Sequence, residues 1–203
     1  MPEVDLFNQS PNRNLLMGAS IAKSHGIIFS KVEIETFFNL LSEEIAWEND
    51  EVLIFGKRIT TKRKTAWYGD RPFAYTYSHT TKIALPWTVT LNEIKNKVEQ
   101  ISKEKFNSCL LNLYHDGNEG MGWHSDDEKM IVPKSAIASV SFGAQRKFVF
   151  KHKKDKTQVS TILENGSLLV MKGETQIEWL HALPKSLKIK AARINLTFRM
   201  IVE

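Results

Sequence analysis

The seven residues Arg193–Arg199, R-I-N-L-T-F-R, alternate polar and apolar without a break. Strict period-two alternation marks a strand, because successive side chains point to opposite faces. Ile194, Leu196 and Phe198 make the apolar face. Arg193, Asn195, Thr197 and Arg199 make the other. Two guanidiniums on one face repel unless an anion lies between them, and arginine grips carboxylates bidentately. A small dicarboxylate would satisfy both, so this segment constrains fold and chemistry together.

The C-terminal half repeats the pattern in short pieces. Ser108–Tyr114, Ile137–Phe142, Lys147–Lys151, Thr157–Leu163 and Ser167–Met171 read as strands. Asp116-Gly117-Asn118 is a turn, Gly143-Ala144 reverses the chain, and Asn165-Gly166 is a hairpin signal between the strands that flank it. Helical periodicity occurs twice, both times early. One helix is expected over 31–46, with Val32, Phe37, Leu40, Leu41 and Ile45 at helical spacing and a capping box from Ser30 to Glu33. The other carries Leu91, Ile94, Val98 and Ile101. Gly26–Phe29 is a short apolar strand. Many short strands after two helices predict an α+β fold, a jelly-roll β-core braced by the helices.

A chain of 203 residues fits one domain with a sizeable core. Residues 1–24 lack periodicity and are expected to be a loosely ordered lead-in, leaving a single domain over 25–203. The one cysteine, Cys109, excludes an internal disulfide and points to a reducing, intracellular setting. No run is long enough to span a bilayer, so no membrane partner is expected. The net charge of +5 suits a polyanionic partner where it is clustered. Lys57, Arg58, Lys62, Arg63 and Lys64 form such a cluster, with Trp67, Tyr68, Tyr75 and Tyr77 nearby. Cations for phosphates and rings for stacking are what nucleic-acid grooves use. A solvated hairpin with its aromatics turned into the core is the other reading.

The segment G-W-H-S-D-D places His124 and Asp126 two residues apart, on one face if the strand is extended. A histidine and a carboxylate make two-thirds of the facial triad that holds non-haem Fe(II). Among the other histidines, His25, His79, His115 and His152 lack a suitable setting. His181, in E-W-L-H-A-L-P, lies on a late strand that would meet the early pair across the barrel mouth. Catalytic zinc accepts similar ligands, but the paired arginines favour iron with an oxoacid co-substrate. Asn112 and Tyr114 share a face of their strand and would complete the hydrogen bonding of a buried carboxylate. Gly117–Gly122 is no phosphate loop, since no helix follows and the Lys-Ser/Thr pair is missing. Cys109, mid-strand, shows no sign of activation as a nucleophile.

Six motifs then carry a resemblance to a known family: N-L-Y-H-D-G at 112–117, H-S-D-D-E at 124–128, A-S-V-S-F-G-A at 138–144, G-S-L-L-V-M at 166–171, W-L-H-A-L-P at 179–184 and R-I-N-L-T-F-R at 193–199. The chain from about residue 27 resembles the AlkB family of Fe(II)- and 2-oxoglutarate-dependent nucleic-acid dealkylases. The resemblance implies a double-stranded β-helix over about 107–203, with His124, Asp126 and His181 on iron. It implies that Arg193, Asn112 and Tyr114 receive the distal carboxylate of 2-oxoglutarate. Asn195 and Arg199 would lie nearer its chelating end, with Thr197 lining the pocket. Residues of about 50–90 would be a nucleotide-recognition lid. In it Tyr75 and Tyr77 would face a flipped base stacked against His124, Phe55 and Gly56 would belong to an apolar finger, and Arg63 would grip a phosphate. Asp127 and Glu128 match positions near the base edge and the neighbouring backbone.

The activity so implied is oxidative demethylation of 1-methyladenine and 3-methylcytosine in DNA, single- or double-stranded, with RNA as an alternative. It consumes 2-oxoglutarate and O2 and yields succinate, CO2 and formaldehyde. A monomer in the cytoplasm or on the nucleoid is expected. Two rivals stand beside it: a 2-oxoglutarate-dependent hydroxylase of a protein or small molecule, which has no need of the 57–64 cations, and a non-catalytic nucleic-acid-binding β-barrel.

Overall fold

The computed structural model describes residues 12–54, 57–77 and 80–202. Strand β1 (Ser20–Ile27) leads into helix α1 (Lys31–Glu44). The first-half sheet elements follow: β2 (Glu48–Ile54), β3 (Lys57–Gly69), β4 (Ala74–Tyr77), β5 (Thr80–Ile83) and the two-residue β6 (Leu85–Pro86). Helix α2 (Val89–Ser102) closes that half. Then come β7 (Ser108–Tyr114), β8 (Met121–His124), β9 (Ile137–Gly143), β10 (Arg146–His152), β11 (Gln158–Leu163), β12 (Ser167–Gly173), the single turn α3 (Thr175–Glu178), β13 (Trp179–Leu183) and β14 (Arg193–Arg199). Among the described residues, no helix is long and apolar enough to cross a membrane.

From β7 onward the chain alternates between two sheets, except that β10 and β11 form a hairpin within one of them. The major sheet runs β1-β12-β9-β14-β7-β3-β2, with β6 on β3, and the minor sheet runs β11-β10-β13-β8. The four-on-four arrangement of β12-β9-β14-β7 against β11-β10-β13-β8 is the expected double-stranded β-helix, with every pair in it antiparallel. A separate ribbon joins β4 and β5.

Two layers of core hold this together. Ile194, Leu196 and Phe198 of β14 and Leu111 of β7 pack under Phe37 and Leu41 of α1 and Leu91, Ile94 and Val98 of α2. The apolar stripe of each helix therefore covers the outer face of the major sheet. The second layer fills the space between the sheets with Tyr114, Ile137, Phe148, Phe150, Met171, Trp179 and Leu183. The α1 capping box forms as the sequence predicts: Ser30 Oγ accepts from Glu33 N–H at 3.3 Å, and Glu33 Oε2 accepts from Ser30 N–H at 2.7 Å.

Two sequence expectations need correction. Of the lead-in, residues 1–11 lie outside the described residues, and 12–24 are tighter than their lack of periodicity suggests. Strand β1 starts at Ser20 rather than Gly26 and pairs with β12, the side chain of Asn14 bonds the backbone of Leu16, Ser20 and Ala22, and Leu16 is buried. Its side chains serve an edge strand with only partial burial, so no alternation shows. The Asn165-Gly166 turn is not a hairpin. It carries the chain from β11 in the minor sheet to β12 in the major sheet, strands that do not pair. Gly143-Ala144 likewise crosses from β9 to β10. Gly166 has φ +80°, a conformation glycine adopts without penalty. A turn residue signals a reversal but not which sheet receives the next strand.

Candidate active site

The two histidines meet because β8 and β13 are neighbours. His181 stands directly opposite His124 in the antiparallel ladder of the minor sheet. Directly opposed side chains lie about 5 Å apart at Cβ. Their rings approach edge-on, centroids 4.3 Å apart. They thus share one sheet, where the sequence predicts a meeting across the barrel mouth.

Asp126 arrives differently. Strand β8 ends at His124, so Asp126 lies beyond it in a loop, and same-face strand geometry does not place it. Its carboxylate is set by Arg199 from β14, whose Nη2 is 3.0 Å from Oδ1. Its backbone N–H donates to Gln176 Oε1 at 2.9 Å. The result brings Asp126 Oδ1 to 3.7 Å from His124 Nε2 and 3.9 Å from His181 Nε2. One ligand atom from each of the three lies within 4.8 Å of the others.

The protonation states suit metal binding. His124 Nδ1 lies 2.8 Å from Gly122 O, a contact that needs the proton on Nδ1 and turns Nε2 toward Asp126. Burial pushes His181 down to about 4, against a partial counterpull from Asp126, so its imidazole is neutral at physiological pH. Burial alone would raise Asp126, but Arg199 and then the two histidines outweigh it and hold the carboxyl below its usual range. A neutral imidazole at His181, an ionised Asp126 and the imidazole of His124 are a donor set that fits a divalent ion.

Beside this cluster the polar face of β14 is buried between the sheets. Arg193 is only 2% exposed. Its Nη2 donates to Ser141 Oγ at 3.0 Å and to Asn195 Oδ1. Asn195 Oδ1 also accepts from Ser139 Oγ at 3.1 Å, and Asn195 Nδ2 donates to Thr197 Oγ1 at 2.8 Å. Tyr114 offers its ring 5.5 Å from the Arg193 guanidinium, and Asn112 is buried on the adjacent β7. Burial pushes Arg193 down to about 10. Among the described residues no carboxylate pairs with it, and its Nε has no hydrogen-bond partner. A buried cation without an anion is costly, and a carboxylate from outside the chain would offset that cost.

The two arginines therefore divide their work. Arg193 is the one left without an anion, whereas Arg199 is committed to Asp126 and lies 3.9 Å from Glu128 Oε1 through Nη1. Within the chain, the two arginines on one face of β14 therefore differ in their partners. Burial would lower Arg199, but Asp126 and Glu128 together raise it.

The remaining sequence candidates are placed as follows. Asp127 is exposed and Glu128 half-buried, both directly after Asp126. Arg63 is 8% exposed with Nη1 against Met121 Sδ at 3.3 Å, so it turns into the protein and does not present its charge as a surface phosphate grip. Directly after Arg63, β3 pairs with β7 within the major sheet. Lys62 is exposed and Lys64 half-buried. Tyr75 and Tyr77 run in the backbone of β4, with side chains outside the described residues; Phe55 and Gly56 lie outside them altogether.

Sequence reasoning missed Ser139 and Ser141, although A-S-V-S-F alternates and puts both beside β14. It also missed Gln176, on a four-residue helix too short for a periodic signal, and Arg146. The Arg146 guanidinium is 1% exposed and donates to the carbonyls of Glu119 and Pro184 at 2.8 Å, tying the loop after β7 to the end of β13. In that loop a Cβ on Gly117 would sit 1.9 Å from Ser186 O, so glycine there serves close approach of two backbones.

Comparison with known proteins agrees with this geometry. Residues 24–199 match the family model described as the 2OG-Fe(II) oxygenase superfamily. The chain is 36% identical over 205 residues to the DNA oxidative demethylase ALKBH2 of Mus musculus, covering 96% of this chain and 86% of the relative. It is 40% identical over 190 residues to that of Homo sapiens, covering 88% and 73%. It is 37% identical over 179 residues to the alpha-ketoglutarate-dependent dioxygenase alkB homolog 3 of Bos taurus, covering 83% and 62%. The solved structure of OsALKBH1 shares the fold, with TM-score 0.63 at 14% identity over 91% of this chain and 98% of that one. With a His-Asp-His cluster, a buried arginine beside it and a jelly roll in the expected order, the chain belongs to the 2OG-Fe(II) oxygenase superfamily and, within it, to the AlkB family.

Proposed function

We propose that this protein oxidatively demethylates N-alkylated bases in DNA, 1-methyladenine and 3-methylcytosine foremost. The observation that carries the reading is the convergence of His124, Asp126 and His181 beside an anion-deficient Arg193 pocket. Relatives that carry the name DNA oxidative demethylase support the choice of DNA.

In this reading His124, Asp126 and His181 hold Fe(II). Arg193, Asn112 and Tyr114 receive the distal carboxylate of 2-oxoglutarate, with Asn195 and Thr197 lining the pocket. Iron with 2-oxoglutarate and O2 supplies hydroxylation of the N-methyl carbon, with succinate, CO2 and formaldehyde as products. The protein's share is placement. The Arg199 guanidinium keeps Asp126 ionised, the Nδ1 contact with Gly122 aims His124, and Phe148 and Phe150 pack beside the His181 ring at 5.4 and 6.3 Å to keep water from it. A base in a duplex cannot reach a buried centre, so it must be extruded, and a methyl on the pairing edge lowers that cost by a few kcal/mol. We assign extrusion and stacking to residues of about 50–90, Tyr75 and Tyr77 among them, and the base edge to Asp127 and Glu128. We assign a monomer acting in the cytoplasm or on the nucleoid.

The test is mass spectrometry of methylated oligonucleotides incubated with iron, 2-oxoglutarate and oxygen, with single and double strands and both sugars compared. Loss of the methyl group supports the reading; intact methyl groups alongside steady succinate production reject it. Lys62→Glu with Lys64→Glu is expected to cut DNA turnover at least tenfold while succinate formed without DNA stays the same. Undiminished DNA turnover in that variant would favour a protein or small-molecule substrate.

A further inference from the structure

Asp126 sits where no ladder holds it. Strand β8 ends two residues earlier, yet Asp126 is 6% exposed and its backbone N–H is buried with it. A buried N–H needs an acceptor, and the one it has is the side-chain Oε1 of Gln176, fifty residues away. The amide orientation follows from that demand: the N–H requires the oxygen, which leaves Nε2 toward Met171 Sδ at 3.8 Å.

The turn carrying Gln176 is itself anchored on two sides. Thr175 is fully buried; its Oγ1 accepts from Ile21 N–H at 2.9 Å and lies 2.8 Å from both Ile21 O and Lys172 O. Lys153 Nζ donates to Gln176 O at 2.9 Å, and Lys153 N–H donates to Glu178 O at 2.8 Å. A second tie lies one residue before the aspartate, where Ser125 Oγ donates to Trp179 O at 3.1 Å. Arg199 fixes the carboxylate of Asp126, but a carboxylate pulled by one guanidinium still swings with its backbone.

We infer that Gln176 is a positioning residue for the metal centre: by accepting the Asp126 N–H it holds the carboxylate where the two imidazoles converge. The inference rests on reading His124, Asp126 and His181 as metal ligands. Partners that orient a ligand from outside the coordination sphere typically change metal affinity by about 10- to 100-fold when removed.

Mn(II) titration of the full chain, followed by loss of the free-ion paramagnetic resonance signal, is the test. Gln176→Leu keeps the bulk and removes the acceptor, and it is expected to weaken Mn(II) binding by about tenfold or more. Gln176→Glu keeps an acceptor oxygen and is expected to bind Mn(II) at least as tightly as the parent. The melting temperature of each metal-free variant serves as control, because a purely structural role would move it and leave the affinity alone. Unchanged affinity in Gln176→Leu overturns the inference, as does equal weakening in Gln176→Glu. Should the unsubstituted protein and Asp126→Ala bind Mn(II) alike, the ligand assignment itself fails, a result distinct from either.

Discussion

At the scale of single residues, the two arginines on one face of β14 differ in their partners. Asp126 is matched by Arg199, and Arg193 waits for an anion. This division predicts opposite phenotypes for two arginines on one face of one strand. Arg193→Gln should lower 2-oxoglutarate affinity by roughly 100-fold or more, the scale of losing one side of a buried charge pair worth about 3–5 kcal/mol, and leave Mn(II) affinity near the parent value. Arg199→Gln should instead weaken Mn(II), because Asp126 loses the guanidinium that keeps it ionised. Calorimetric titration of metal and co-substrate in each variant measures both. A dicarboxylate shared equally by the two arginines would give matching losses instead.

At the scale of elements, the helices carry the major sheet and the sheet carries the site. Helix α1 starts at a reciprocal capping box, and Glu33 extends it by a contact to Lys97 of α2 at 2.6 Å. Ser30→Ala should cost about 1 kcal/mol at neutral pH. The Lys97 contact first, and then Ser30, push Glu33 down to about 2, from an ordinary value near 4.5. A folded-state value below the unfolded one means that its contribution is whole above about pH 4.5 and fades as pH falls toward 2. Glu33→Gln should therefore lower the urea midpoint at pH 7 and leave it nearly unchanged near pH 2. The strands were legible where one face differs from the other, as in β7 and β14. Partner choice was not, since Asn165-Gly166 looks the same whether the chain turns back on itself or crosses to the other sheet.

At the scale of the whole molecule, the His-Asp-His cluster draws on both sheets: β8 and β13 of the minor sheet supply the imidazoles, and β14 of the major sheet supplies the arginine that holds Asp126. Ligands that bridge the two should stabilise the entire fold. A metal and co-substrate each present at 100 times its dissociation constant adds about 2.7 kcal/mol per ligand if the unfolded chain binds neither. Chelation of the metal should then lower the melting temperature by several degrees, and restoring Mn(II) with 2-oxoglutarate should return it. No shift on chelation would mean that the three ligands do not close on a common ion.

The sequence by itself determined six of the eight strands of the β-core, the two bracing helices, the histidines and carboxylate of the candidate centre, and the polar ladder on β14. Each of these is written in local periodicity or in a short motif, and local patterns follow from the alternation of side chains and from helix geometry. Only the tertiary structure decided that His124 and His181 are cross-strand neighbours, that Arg199 belongs to Asp126, that Arg63 turns inward, and that Gln176 holds the loop. Those are pairings between residues 50 or more positions apart, or choices between two faces that look alike along the chain. They depend on which strands become adjacent when the two apolar layers close, and no local pattern encodes that adjacency.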